Sequence, residues 1–321
     1  MARAARARLD AMETRCIAIV GPTAVGKSDL ALRLAEALGG EIVSADALQV
    51  YRGFDIGTAK PTVEERLRIP HHLIDILEPS QAYSAGEFVR RAEAAIEQIH
   101  RRGRPAVVVG GSGLYLRALA AGIAALPAVD PAIREELERW RRSDGLEPLR
   151  RELERVDSPT ASRLAARDAQ RILRALEVFR SSGVPLSTWI SRQPFGRAGR
   201  RMIKIGLTLP RAVLYDRIAA RAHAMLDSGW LNEVRGLLEG GVERSAPAFQ
   251  AIGYRHLGDV VAGLASLEEA IPILIRATQQ FAKRQETWFR REPGIEWRDA
   301  RSVDREFRSI VEKIGAIAAG G

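Results

Sequence analysis

The sequence has almost no cysteine and no long apolar run. Cys16 is the only cysteine among 321 residues, which excludes an internal disulfide and a cysteine-based zinc finger. The five histidines do not cluster at metal-ligand spacings. No apolar stretch approaches the roughly 18 residues of a membrane span, and the Arg- and Ala-rich start lacks the apolar segment of a signal peptide. We therefore expect a cytosolic protein with no membrane partner.

The charge of the chain is positive and its apolar content is that of a folded protein. Lys and Arg number 49 against 40 Asp and Glu, a net charge of +9, which suits a phosphate-rich partner such as nucleic acid but also fits a solvated basic surface. With 46% hydrophobic residues, the chain can bury a full core as one large or two unequal domains. Residues 1–14 are expected to form a disordered basic tail, unless translation begins at Met12.

Short apolar runs alternate with helical patterns, which is typical of a parallel α/β sheet flanked by helices. Strand patterns are absent from residues 129–199, where Arg- and Glu-rich segments predict an all-helical insertion. Residues 15–128 and 200–321 are then expected to form one α/β core. Strands are predicted at residues 16–20, 41–45, 73–77, 106–110 and 202–209, and helices at residues 211–240 and from residue 267 to about residue 291.

A phosphate-binding loop follows the first predicted strand. The segment GPTAVGKS matches G-x-x-x-x-G-K-[ST] and lies directly before a helical pattern, so we expect a P-loop NTPase-like fold. Backbone N–H groups of such a loop surround an anion, while the Lys adds a positive charge and the Ser hydroxyl can hold Mg²⁺. The motif predicts a diphosphate or a nucleotide without distinguishing them. The predicted binding residues are Gly21, Pro22, Thr23, Ala24, Val25, Gly26, Lys27 and Ser28, with Ser28 as the metal ligand.

Two polar residues follow other predicted strands. Asp46 comes after the second strand and Ser112 after the fourth, and each can also be explained as the cap of a helix or turn. Because the carboxyl ends of parallel strands share one edge of a sheet, Lys27, Asp46 and Ser112 are expected to converge there. This convergence favours a reactive site over three unrelated caps.

Arginine pairs at helical spacing leave two explanations open. Arg171 and Arg174 lie three residues apart on the outer side of a predicted helix, where they suit RNA phosphates or a solvated surface. Arg217 and Arg221 lie four residues apart and suit phosphate binding or surface ion pairs.

An aromatic turn occurs late in the chain. Phe249 and Tyr254 bracket a glycine-containing segment that is followed by Arg255. The two rings can form a platform on which an unpaired base stacks, or can pack in the core.

Six sequence blocks occur in a characteristic order: GPTAVGKSDLAL, SADALQVYRGFDIGTAKP, VVVGGSGLYLRAL, DAQRILRALEVF, AIGYRHL and AKRQETWFR. Together they resemble the bacterial tRNA dimethylallyltransferases, also called isopentenyl-tRNA transferases, over roughly residues 15–291. The resemblance implies transfer of a dimethylallyl group from dimethylallyl diphosphate to N6 of adenosine 37 in tRNAs that read codons beginning with U. It also implies Mg²⁺ as the cofactor, release of diphosphate, the tRNA anticodon stem-loop as partner, a monomer, and weak ATP binding at most.

The resemblance also assigns roles to individual residues. Asp46 is implied as the base that takes a proton from the adenine amine, Ser112 as the group that positions the amine or the diphosphate, and Arg217 as a diphosphate ligand. Lys27 and Ser28 are implied to serve the leaving group and the metal. The implied tRNA contacts are Asp46, Ala47, Leu48, Gln49, Ser112, Arg134, Gln170, Arg171, Ile172, Leu173, Arg174, Gln250, Ala251, Ile252, Gly253, Tyr254, Arg255, Lys283, Arg284 and Gln285.

The sequence departs from the family pattern at four positions. Val25 and Ala47 each replace a common Ser, Ser112 replaces Thr, and Gln279 replaces a common Arg. The hydroxyl at position 112 and the backbone of the loop survive these changes, so activity is expected. The alternatives are a small-molecule kinase that holds ATP in the same loop and a non-catalytic RNA-binding ATPase.

Overall fold

The computed structural model describes residues 16–124, 126–127, 130–192 and 199–319. The basic tail expected at residues 1–14 lies outside the described residues. The chain divides into two compact units, one formed by Met1–Ala120 with Arg200–Gly321 and the other by Ala121–Gly199. The predicted helical insertion of residues 129–199 falls within the second unit.

A six-stranded sheet forms the centre of the first unit. Its strand order is β3-β2-β4-β1-β5-β6, and every neighbouring pair is parallel. The prediction of a parallel α/β fold with a P-loop-like sheet is therefore confirmed. The strands are β1 (Cys16–Val20), β2 (Glu41–Ser44), β3 (His71–His72), β4 (Ala106–Val109), β5 (Ile203–Thr208) and β6 (Ile295–Asp299).

Helices connect the strands and make up the second unit. No helix in the described parts of the chain is both long and apolar enough to cross a membrane. A 3-10 turn, Pro247–Gln250, precedes the twelfth helix. The helices are α1 (Lys27–Leu38), α2 (Val63–Arg68), α3 (Ala85–Arg101), α4 (Gly113–Ala121), α5 (Pro131–Asp144), α6 (Glu147–Val156), α7 (Ser158–Ala161), α8 (Ala169–Ser182), α9 (Leu186–Arg192), α10 (Arg211–Asp227), α11 (Trp230–Glu239), α12 (Tyr254–Val261), α13 (Leu267–Phe289) and α14 (Val303–Ala319).

The strand predicted at residues 73–77 is wrong. Strand β3 pairs only His71 and His72 with β2, and the chain then turns, with φ of 64° at Leu73 and 56° at Asp75. This left-handed backbone cannot continue a strand. The Asp75 carboxylate accepts hydrogen bonds from Lys60 at 2.6 Å and from Arg66 at 2.7 Å. Those bonds hold a turn where the apolar pattern suggested a strand.

The two faces of the sheet carry separate apolar cores. Side chains alternate along β1, so that Ile17 and Ile19 pack on the side of α1 while Ala18 and Val20 pack on the side of α3. Because β1, β2 and β4 are parallel, the segments that follow them emerge at one edge of the sheet. This arrangement brings the phosphate-binding loop, Asp46 and Ser112 to the same edge.

The second unit is built from helices within its described residues. Its core is an apolar cluster that includes Leu137, Leu149, Leu153 and Leu176. These leucines come from α5, α6 and α8, so the unit buries an apolar interior of its own.

Candidate active site

The phosphate-binding loop has a backbone that its glycines make possible. Gly21 has a φ of 141° and Gly26 a φ of 105°, both in the left-handed region that favours glycine. A side chain at Gly21 would also meet the Leu207 carbonyl oxygen of β5, because its Cβ would lie only 2.6 Å away. Val25 is fully buried in the core beneath the loop. Its side chain therefore faces the core, and the substitution of Ser by Val leaves the loop backbone in place.

Two cations lie at this loop. Lys27 is half-buried at the start of α1 and donates a hydrogen bond to the Pro22 carbonyl oxygen at 2.6 Å. Burial of the ammonium and then the like charge of Arg221 lower the pKa of Lys27 to about 7, against the opposing effect of Asp46. Burial also lowers the pKa of Arg221, which donates to the Thr23 hydroxyl at 3.3 Å. A multiply charged anion would relieve this crowding of positive charge.

The arginine that reaches the loop is Arg221 rather than Arg217. Arg217 lies one helical turn earlier on α10, and its side chain is exposed. Arg221 is half-buried and lines the cavities on both sides of the loop. The diphosphate contact implied for Arg217 is therefore better assigned to Arg221.

Ser28 is the residue of the loop best placed for a magnesium ion. It is exposed and lines the same cavity as Lys27. Among the described residues no group of His, Cys, Asp and Glu side chains could hold a metal by itself. A single hydroxyl fits Mg²⁺ that takes its remaining ligands from diphosphate oxygens and water, which is how this ion is held in phosphate sites.

Asp46 both shapes a turn and faces the site. Its Oδ1 accepts the N–H of Leu48 at 2.8 Å and the N–H of Gln49 at 3.4 Å, which fixes the segment after β2. The half-buried carboxylate also lines the larger cavity of the first unit. The cap and the reactive group proposed from sequence are thus compatible in one residue.

Ser112 lies between two glycines at the start of α4. Gly110 brings the end of β4 against the end of β2, because a Cβ there would lie 2.2 Å from the Ala45 carbonyl oxygen. This close approach places the Ser112 segment beside the Asp46 segment. Ser112 and Asp46 line the same cavity.

Two cavities flank the loop. The larger, of about 620 Å³, is lined by Asp46 and Ser112 and has an apolar wall. The smaller, of about 410 Å³, contains Lys27 and Ser28. Both volumes suit small ligands. The apolar wall consists of Ile218, Ala222, Met225, Trp230, Leu274 and Phe281, and Arg221 lines both cavities.

The aromatic platform predicted from Phe249 and Tyr254 is wrong, because both rings are buried. Tyr254 has no exposed surface and Phe249 is 1% exposed, so neither can stack on a base. The Tyr254 hydroxyl donates to Glu233 at 2.6 Å and accepts the Gly57 N–H at 3.1 Å. Core packing, the alternative explanation, is the correct one.

The other residues implied for tRNA contact in the first unit fall into two groups. Ala47, Leu48, Gln250, Ala251, Ile252 and Arg284 line the larger cavity, while Arg255 and Lys283 are exposed. Gln49, Gly253 and Gln285 instead serve the interior. The Gln49 amide donates to the carbonyl oxygens of Thr58 and Ala59, Gly253 packs closely against Trp230, and Gln285 is buried.

In the second unit the implied tRNA residues also divide by exposure. Ile172 and Leu173 are buried in its core, whereas Gln170 and Arg171 are exposed. Arg134 donates two hydrogen bonds, at 2.8 and 3.1 Å, to the buried carboxylate of Glu177, and Arg174 donates a third at 3.2 Å. Glu177 thus holds two of the implied RNA-binding arginines on one surface.

Several residues of the larger cavity were not found from the sequence. Met225, Trp230, Phe281 and Trp288 line it from α10, α11 and α13. Apolar residues at helical spacing are typical of any core-facing helix, so no pattern distinguished those that border the cavity.

A phosphate-binding loop on a parallel sheet, beside a cavity with a carboxylate and an apolar wall, defines a class of transferases that act on phosphorylated small molecules. The family model described as IPP transferase matches residues 49–292 of this chain. The chain therefore belongs to the IPP transferase family.

Curated relatives and solved structures agree with that family. The chain is 48% identical over 285 residues to the tRNA dimethylallyltransferase of Geobacter metallireducens, covering 89% of this chain and 92% of that protein. The full-length tRNA isopentenylpyrophosphate transferase of Bacillus halodurans has a TM-score of 0.70 and 39% identity, with 95% of this chain and 97% of that chain covered. A eukaryotic dimethylallyltransferase acting on tRNA has a TM-score of 0.74 and 27% identity, with 92% and 79% covered.

Proposed function

We propose that this protein transfers a dimethylallyl group from dimethylallyl diphosphate to N6 of adenosine 37 in tRNAs that read codons beginning with U. The product is N6-isopentenyladenosine, and diphosphate is released. The observation that carries the proposal is the larger cavity, where Thr23 and Arg221 of the anion site share one space with Asp46, Ser112 and an apolar wall.

The phosphate-binding loop suits a leaving group. As the allylic C–O bond breaks, its electron pair departs with the diphosphate, whose negative charge grows in the transition state. Preorganised cations and N–H groups stabilise such charge without reorganising. Lys27, Arg221 and the loop backbone supply them, and Mg²⁺ held by Ser28 would neutralise further charge on the diphosphate.

Asp46 suits the acceptor side. The adenine amine is a weak nucleophile because its lone pair is delocalised into the ring, so a base must take its proton as the new C–N bond forms. The Asp46 carboxylate is the acidic side chain that lines the larger cavity within the described residues. Its Oδ1 is fixed by the Leu48 N–H, which orients the carboxylate before the substrate arrives.

The apolar wall suits the dimethylallyl group. Met225, Leu274 and Phe281 offer hydrocarbon contacts and few polar atoms on which water could be held. A dry wall limits hydrolysis of the reactive allylic carbon, since water competes with the adenine amine. The adenosine would enter this cavity flipped out of the anticodon loop.

Basic residues outside the cavity are proposed to hold the tRNA backbone. Lys283 and Arg284 are exposed on α13, and Arg134, Arg171 and Arg174 lie on the surface of the second unit. Guanidinium and ammonium groups bind phosphates without regard to sequence. We propose that they fix the stem-loop while the cavity selects the adenosine.

Release of diphosphate tests this proposal. Purified protein is incubated with Mg²⁺ and dimethylallyl diphosphate, with and without an unmodified anticodon stem-loop, and diphosphate is quantified. We expect release that depends on the stem-loop. A parallel reaction replaces dimethylallyl diphosphate with ATP. ATP turnover with no diphosphate release from the allylic donor would contradict the proposal and favour a kinase.

A further inference from the structure

The side-chain amide of Gln285 joins two loops of the active site. Its Oε1 accepts the N–H of Thr23 in the phosphate-binding loop at 2.8 Å. Its Nε2 donates to the carbonyl oxygen of Gly111, the residue before Ser112, at 2.9 Å. The side chain is buried, with Gln285 only 6% exposed, so both bonds are shielded from water.

The fit of this bridge depends on glycine. A Cβ at Gly111 would lie 2.1 Å from the Gln285 Nε2, so any larger residue would displace the amide. One turn further along α13, the Trp288 ring packs against Gly113, where a Cβ would lie 2.2 Å from the ring. Helix α13 therefore touches the glycines on both sides of Ser112.

The bridge continues to the cation of the loop. Arg221 donates to the hydroxyl of Thr23, the same residue whose N–H is bound by Gln285. A single buried amide thus connects the guanidinium expected at the diphosphate with the backbone that carries Ser112. Because these groups lie on separate strands and helices, nothing in the local sequence fixes their distance.

We propose that Gln285 is a positioning residue that sets the distance between the leaving-group loop and the acceptor side of the cavity. The proposal rests on the function proposed above. It replaces the tRNA contact that the family resemblance implied for this residue, because a buried amide with both ends bound cannot also reach an RNA surface. Lys283 and Arg284, its exposed neighbours, keep that role.

Glutamate at position 285 gives a test with a chemical signature. Protonated Glu has one O–H donor and one carbonyl acceptor, so it can make both bonds of the amide, whereas ionised Glu can only accept and repels the Gly111 carbonyl. Burial favours the neutral form. For Gln285→Glu we expect kcat about 100-fold below wild type at pH 8, the loss typical of a misplaced reactive group. The ratio to wild type should recover toward one as the pH falls.

Two further variants serve as controls. Gln285→Met keeps the volume of the side chain but makes neither bond, so its kcat should be low at every pH. Gln280→Glu adds the same charge on the exposed surface of α13, and its kcat ratio should not change with pH. The Michaelis constant for the stem-loop should stay near the wild-type value in both Gln285 variants.

The outcomes separate the possible roles of Gln285. A pH-independent Gln285→Glu ratio together with a raised Michaelis constant for the stem-loop would overturn the proposal and make Gln285 an RNA contact. If wild-type protein transfers no dimethylallyl group, the proposed function fails instead. The bridge is then tested by hydrogen exchange of the Thr23 amide, which should be faster in Gln285→Met than in wild type. Unchanged exchange would overturn it.

Discussion

Replacing Asp46 by Asn separates its two roles. Asn keeps an Oδ1 acceptor, so the bonds from the Leu48 and Gln49 N–H groups at 2.8 and 3.4 Å can persist and the turn should survive. What disappears is the capacity to take a proton. A positioned general base contributes about 10²- to 10⁴-fold to a rate. At about 1.4 kcal/mol per factor of ten, the barrier to transfer should therefore rise by roughly 3–5 kcal/mol.

The assay is single-turnover transfer at saturating stem-loop and dimethylallyl diphosphate. The affinity of Asp46→Asn for the stem-loop, measured by fluorescence anisotropy, should remain within a few-fold of wild type. Asp227→Asn, an exposed change on α10, serves as the control and should react normally. A rate for Asp46→Asn within tenfold of wild type would refute the assignment of Asp46 as the base.

Three other changes test the remaining parts of the site. Because the pKa of Lys27 is lowered to about 7, its ammonium is deprotonated as the pH rises through 7, so wild-type affinity for pyrophosphate should weaken above that pH by up to about tenfold per unit relative to Lys27→Arg, as measured by calorimetry. Arg221→Ala should weaken pyrophosphate binding by about tenfold or more, since it removes a charge-assisted hydrogen bond to the anion, whereas Arg217→Ala should not; equal effects would contradict the geometry. Arg171→Ala combined with Arg174→Ala should lower stem-loop affinity and reduce the slope of log affinity against log salt by about one for each phosphate that is no longer neutralised, and an unchanged slope would return both to the solvated surface.

The central strands were predictable and the outer ones were not. Strands β1, β2 and β4 are short apolar runs buried on both faces, a pattern that stands out in any sequence. Strand β3 has only two residues, too few to leave a periodic signal. Strand β6 pairs only with β5 at the edge of the sheet and carries charged residues such as Glu296 and Arg298, which conceal it.

The acceptor-side residues were found for a similar reason. Asp46 and Ser112 each follow a strand, and the carboxyl ends of parallel strands meet. Arg217 and Arg221 could not be separated, because residues four apart share one side of a helix and only the packing of α10 decides which turn meets the loop. The burial of Tyr254 depends on Glu233, whose hydrogen bond to it spans elements that no local pattern connects.

The most direct test of the account is mass spectrometry of an unmodified anticodon stem-loop after incubation with the protein, Mg²⁺ and dimethylallyl diphosphate. Nuclease digestion then identifies the modified nucleoside and its position. The account predicts a gain of one C5H8 unit on N6 of the adenosine at position 37 and on no other nucleoside. An unmodified stem-loop would contradict it, as would the same gain on other adenosines of the loop.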